Sequence, residues 1–152
     1  MAITRANVEN VLVHRAGALM TKAGMDGATV DGTNTDLADP IAYGLRQAGY
    51  DVDDFTSPTD AEIDDAADDI DQVVDLAELR VLENILGNLD DVDTTLGPRT
   101  ERLSQLASQV EKKLDRLQTK CQKLYGYGAA TITADVFVHD IAEHYDGTEE
   151  SL

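Results

Sequence analysis

Two long stripes of apolar residues at helical spacing run through residues 63–124 of this chain, and they limit its fold more than any other feature. One stripe recurs every three or four residues, and the other recurs every seven. Both periods place the stripe on one side of an α-helix. The first stripe consists of Ile63, Ala67, Ile70, Val74, Ala77, Val81 and Ile85, and the second of Leu103, Val110, Leu117 and Leu124.

Proline and glycine residues indicate where these helices begin and end. One long helix is expected over residues 58–86, starting at Pro58, and a second over residues 98–124, starting at Pro98. Residues 87–97 then form the turn. Two long helices joined by a turn of roughly ten residues pack antiparallel as a hairpin. The sequence therefore predicts an all-α fold, a small helical bundle dominated by this hairpin.

A first short helix is expected from Arg5 to Ala23, with Thr4 as its N-cap and Gly24 after its end. Residues 25–38 are rich in Gly, Asp, Thr and Asn, which predicts a surface loop. That loop lacks the GK[ST] ending of a phosphate-binding loop. The expected inner face of the helix consists of Val8, Val11, Leu12, Arg15 and Leu19.

A second short helix is expected to start at Asp39-Pro40, with the aspartate as N-cap and the proline at the first helical position. Gly49 ends it. Its expected inner face consists of Ile41, Gly44, Leu45 and Ala48.

The charge of the chain excludes one broad class of function. Twelve Lys and Arg stand against 30 Asp and Glu, which gives a formal net charge of −18 over 152 residues. A protein that binds nucleic acid through a broad basic face, or that docks on an anionic membrane, needs the opposite balance. An Asp-rich, Lys-poor composition also fits a high-salt environment. Apolar residues make up 42%, which suffices for a single core although Trp is absent.

No apolar run reaches the eighteen residues of a membrane span, and His14 and Arg15 stand where a signal peptide would be apolar. A soluble, non-exported protein is expected.

The densest group of acidic residues follows Pro58. Its spacing lacks the D-x-D-x-D-G pattern of a calcium loop. On a helix these carboxylates form the hydrated side opposite Ile63, so a solvent-exposed acidic face is predicted. We name four of its members the acidic face: Asp64, Asp65, Asp68 and Asp69.

Other reactive side chains do not form a recognisable catalytic or metal-binding pattern. Cys121 falls between Leu117 and Leu124 and extends the second apolar stripe. It lies far in sequence from any histidine and is expected to pack in the core. Asp140 and His144, with His139 nearby, lack further ligands at defined spacing. No enzyme activity, metal or cofactor is therefore predicted.

The last 28 residues differ in character from the helical part. Gly126 and Gly128 break the second long helix, and a Thr, Ile, Val and Phe segment of β propensity follows. The chain is thus divided into a helical domain, residues 1–124, and a docking tail, residues 125–152. A strand in such a tail is stable when a partner edge pairs with it, or when the tail folds back as a hairpin. The expected docking residues are Tyr125, Tyr127, Ile132, Val136, Phe137 and Val138.

Residues 4–145 resemble one family in the order of their elements and in two phrases, LADPIAYGLRQAGY and YGYGAATITADVFVHDIAEH. The chain resembles the head–tail connector proteins, also called adaptor or head-completion proteins, of long-tailed bacteriophages. The resemblance implies a virion protein made in the host cytoplasm that assembles as a dodecameric ring at the head–tail junction. The implied partners are the portal protein, neighbouring copies and a tail-side connector or stopper protein.

The resemblance also implies that DNA passes through the ring without specific binding, past a wall that includes acidic residues. The C-terminal segment would reach toward the portal. The alternative is an acidic helical interaction module, either a DNA mimic or a regulatory bundle, which functions as a monomer or dimer rather than as a ring.

Overall fold

The computed structural model describes residues 2–95 and 100–126, and every regular element within these ranges is helical. The chain divides into two units, residues 1–117 and residues 118–152, and the described part of the second unit is the end of the last helix. The predicted helical class is thereby confirmed for the described residues. The helices are α1, Arg5–Lys22; α2, Thr35–Gln47; α3, Asp60–Asp65; a 3₁₀ turn, Ala67–Asp69; α4, Ile70–Thr95; and α5, Thr100–Tyr125.

Helix α1 begins where the sequence predicts, because Thr4 and Asn7 form a reciprocal capping box. Its buried side differs from the predicted one. Val11 is 38% exposed, and Arg15 also lies at the surface. The helix is turned so that the Arg15 guanidinium reaches carboxylates on α4. The residues of α1 that enter the core are Val8, Leu12, Ala16 and Met20.

The predicted start of α2 at Asp39-Pro40 is wrong. Asn34 is the N-cap, and its side-chain oxygen accepts the backbone N–H groups of Asp36 and Leu37 at 3.0 and 3.2 Å. Pro40 lies inside the helix, where its missing N–H removes one early backbone bond. Asp39 does not cap the helix, and its carboxylate forms an ion pair with the Arg80 guanidinium at 3.1 Å.

The first long helix is interrupted rather than continuous. Thr59 caps α3 through a capping box with Glu62, and the chain leaves α-helical geometry at Ala66 before α4 begins. Aspartate forms helices poorly because its short side chain competes for nearby backbone groups, and the interruption falls within the Asp-rich segment.

The predicted turn at residues 87–97 is wrong over residues 87–95, which continue α4. Gly87 therefore lies inside a helix, where a glycine lowers helix stability by only about 1 kcal/mol relative to alanine. Helix α5 ends at Tyr125, and Gly126 adopts a φ of +71° just after it, as the sequence predicts. The antiparallel arrangement of α4 and α5 stays a prediction.

Helix α4 is the central element of the first unit. Its residues 73–79 are buried without interruption, so this part of the helix is enclosed on all sides. Helices α1 and α2 both pack against it. The largest fully buried side chains of α4 are Leu76, Leu79, Leu82, Ile85 and Leu89.

Helix α2 approaches α4 so closely that no side chain fits between their backbones at Gly44. A Cβ atom added at Gly44 would overlap the carbonyl oxygen of Val73 and lie 3.2 Å from the backbone nitrogen of Ala77. A Cβ atom at Gly87, in contrast, would meet no atom within 4 Å. The two glycines are therefore a matched pair for testing the packing.

We expect Gly44→Ala to lower the free energy of unfolding by about 1–3 kcal/mol, because α2 must move away from α4. Gly87→Ala should raise it by about 1 kcal/mol through helix propensity. Urea unfolding followed by far-UV circular dichroism measures both. Equal effects of the two substitutions would contradict the close α2–α4 contact.

Candidate functional site

The acidic face lies in α3 and the 3₁₀ turn, and all four of its aspartates are exposed. Two of them have specific partners. Asp64 accepts the backbone N–H of Ile3 at 2.9 Å, and Asp69 accepts the hydroxyl of Tyr50 at 2.6 Å. The hydrogen bond to Asp69 raises the pKa of Tyr50 above its ordinary value. The face is a hydrated, negatively charged surface that repels phosphate groups and attracts cationic ones.

The loop between α1 and α2 is held by a buried polar network that the sequence reading missed. Glu9 is fully buried, and its carboxylate accepts the backbone N–H groups of Gly32 and Asn34 at 2.8 and 3.2 Å. Arg5 completes the network, since its guanidinium donates to Glu9 and to the Asn34 carbonyl, both at 2.8 Å. The loop is thus fixed to α1.

Asn34 links this network to the start of α2. Its amide group donates to the carbonyls of Asp26 and Thr29 at 3.1 and 2.9 Å, while its oxygen caps α2. A usable signal was present in the sequence, because Glu9 stands one helical turn after Arg5 and next to the core residue Val8.

A second charged cluster joins three helices. Arg15 of α1 donates to Asp75 at 2.8 Å and to Glu78 at 3.1 Å, and both carboxylates lie on α4 and are buried. Lys113 of α5 donates to the carbonyl oxygen of Arg15 at 2.7 Å and lies 3.8 Å from Glu78. Burial lowers the pKa of Arg15, but the bonds to Asp75 and Glu78 outweigh it and the pKa lies above the ordinary value.

A groove of about 260 Å³ lies beside this cluster, between α1 and the start of α4. The described residues that line it include one arginine and one aspartate but no histidine, cysteine, serine or lysine. A nucleophile paired with a general base is therefore not formed by this lining. The lining residues are Ile3, Asn7, Val8, Val11, Arg15, Ile70, Asp71 and Val74.

Within residues 2–95 and 100–126, no three His, Cys, Asp or Glu side chains converge as a metal site would require. No helix in the same ranges has the length and apolarity needed to span a bilayer. Cys121 is buried and forms no disulfide, which agrees with the predicted packing role. The possible metal ligands Asp140, His139 and His144 lie outside the described residues.

Of the predicted docking residues, only Tyr125 lies in the part of the chain that the structure describes. It is the last residue of α5 and is half-buried. The other docking residues lie outside that part: Tyr127, Ile132, Val136, Phe137 and Val138.

Helix α5 carries a further surface that the sequence reading did not identify. Four exposed cations follow one another at intervals of four, four and three residues, which places them on one side of the helix. We name them the basic stripe: Lys112, Arg116, Lys120 and Lys123. A count of charge by segment, instead of over the whole chain, would have found it.

No protein-family model, no curated protein and no solved structure matches this chain.

We expect Glu9→Gln to lower the free energy of unfolding by about 1–3 kcal/mol, because an amide cannot accept all the N–H groups that now point at the carboxylate. Glu83, half-buried on α4, supplies the control substitution Glu83→Gln. Hydrogen exchange should show faster exchange of the Gly32 and Asn34 amides in the Glu9 variant only. Unchanged exchange at these amides would contradict the network.

We expect Arg15→Gln to lower the free energy of unfolding by about 2 kcal/mol, which is less than the roughly 3–5 kcal/mol for breaking a fully buried ion pair. The loss is smaller because the Arg15 side chain is 37% exposed and Lys113 stays near Glu78. Urea unfolding measures the deficit, with exposed Lys22→Gln as control. A deficit no larger than that of the control would contradict a stabilising role of the Arg15 cluster.

Proposed function

We propose that this chain is a structural virion protein that forms a ring adaptor between the portal and the tail of a long-tailed bacteriophage. The observation that carries the proposal is the order of the helices. Two short helices, α1 and α2, precede two helices of 26 residues each, α4 and α5. The sequence then continues into the aromatic, glycine-punctuated tail whose phrase resembles that of the connector family.

The charge distribution on the surface supports this role. The four aspartates of the acidic face are exposed, and the chain as a whole carries −18. A negative wall prevents the passing duplex from binding to the channel, so DNA can move without specific contacts. In this proposal the acidic face contributes to that wall at the positions that no neighbouring copy covers.

The charged residues beside the groove fit the same proposal, because they serve the packing of the helices. Arg15 binds the carboxylates of Asp75 and Glu78. A connector likewise supplies contacts and not a reaction. The proposed activity is therefore assembly, with the portal protein, neighbouring copies and a tail-side connector or stopper as partners.

The exposure of the acidic face also favours a second candidate, a DNA mimic that occupies a nucleic-acid-binding protein. Mimicry requires carboxylates spaced like phosphates on one exposed surface. It needs no ring, and a monomer or dimer suffices. The mass of the assembly formed with the portal ring separates the candidates, because a connector adds many copies to each ring and a mimic adds none.

Attachment to the portal should require the C-terminal residues. We expect a chain ending at Gly126 to retain the helical circular dichroism signal and to fail to co-sediment with portal rings of the same virus. A chain lacking only residues 147–152 is the control and should bind as the full chain does, because it keeps every predicted docking residue. Portal binding by the shorter chain, or detection of the protein elsewhere than the head–tail junction of virions, would contradict the proposal.

A further inference from the structure

Positive and negative charges are segregated along this chain. Residues 1–95 contain five Lys or Arg against 21 Asp or Glu, whereas residues 96–126 contain seven Lys or Arg against three Asp or Glu. The segment that includes α5 is therefore basic within a strongly acidic protein. Such a separation creates two surfaces of opposite sign on one chain, and opposite surfaces attract each other between molecules.

The basic stripe consists of exposed cations from this basic segment. At 3.6 residues per turn its four members fall within a sector of about 80° around α5. The nearby acidic residues Glu111 and Asp115 fall outside that sector. All four cations are exposed, and within the described residues Lys112, Arg116 and Lys123 form no ion pair with a carboxylate.

Lys113 differs from the stripe, because this lysine of α5 contacts other residues of its own chain. It lies about 100° from Lys112 around the helix, just beyond the Lys120 edge of the stripe and nearer the buried side. Its ammonium group donates to the Arg15 carbonyl and lies 3.8 Å from Glu78. Lys113 is thus half-buried against its own chain, whereas the four members of the stripe are exposed.

We propose that the basic stripe of one copy binds the acidic face of the next copy. Both surfaces are exposed, opposite in charge and present once in every chain, so the contact is head-to-tail and repeats from copy to copy. The proposal rests on the proposed ring and identifies the surfaces that join its subunits. Nucleic acid is not required as the anionic partner of the stripe, because a second copy presents the exposed carboxylates of the acidic face.

A charge-swap cycle on the full chain tests this contact without any portal protein. The stripe-reversed variant carries Lys112→Glu and Arg116→Glu, and the face-reversed variant carries Asp65→Lys and Asp68→Lys. The combined variant carries all four substitutions and keeps the net charge of the original chain, so general repulsion between copies is unchanged. All four residues are exposed, and circular dichroism checks that each variant keeps its helical signal.

Self-association is measured by sedimentation velocity at 0.1 M salt, where the Debye length of about 10 Å screens the net charge but not close ion pairs. We expect each single-surface variant to lose about tenfold or more in association constant, which corresponds to about 1.4 kcal/mol. The combined variant, and an equimolar mixture of the two single-surface variants, should recover the original value to within about threefold.

A zero-length carbodiimide cross-linker on a mixture of ¹⁴N and ¹⁵N chains identifies the joined residues. We expect cross-links of mixed isotope between Lys112, Lys120 or Lys123 and the acidic face. Single-surface variants that associate normally, a combined variant that fails to recover, or an original chain without self-association would each overturn the proposal. Binding of a DNA duplex that the stripe reversal abolishes would assign the stripe to nucleic acid and overturn it as well. Portal attachment is measured separately, so either proposal can fail alone.

Discussion

The close approach of helix backbones is the constraint on which the first unit depends. The chain has no tryptophan and two phenylalanines, so its core consists of Val, Leu, Ile, Ala and Met side chains. Cores of small side chains fill space only when the helices come close together. Gly44 permits this between α2 and α4, and Gly17 permits a similar approach of α1 to the backbone of Gly27 in the following loop. The contact at Gly44 encloses α4 on one side, near Val73 and Ala77.

Buried charges are the second organising feature, and each is compensated by partners from another segment. Glu9 accepts N–H groups of the loop and is paired with Arg5, while Asp75 and Glu78 on α4 share Arg15 of α1. A buried carboxylate without such partners would cost several kcal/mol. These networks therefore fix how α1, its following loop and α4 fit together, and the hydrophobic contacts alone would leave that fit less defined.

The surface of the chain is arranged differently from its interior, because its exposed charges are largely separated by sign. The acidic face precedes α4 and the basic stripe lies on α5. A connector ring needs a repeating contact between identical subunits together with a wall that does not hold DNA. In the proposed assembly the stripe serves the first need, and the remaining acidic surface serves the second.

The sequence by itself determined the helical class, the cap at Thr4 and the ends of α2 and α5, because periodicity, capping and glycine act over a few neighbouring residues. It also identified the exposure of Asp64, Asp65, Asp68 and Asp69. It did not locate the start of α2, since Asn34 and Asp39 are equally good caps locally and the contacts of Asn34 with Asp26 and Thr29 decide between them. The role of Arg15 was misjudged for the same reason. Only the tertiary structure brings Asp75 and Glu78 within reach of that guanidinium, because they lie 60 and 63 residues away along the chain.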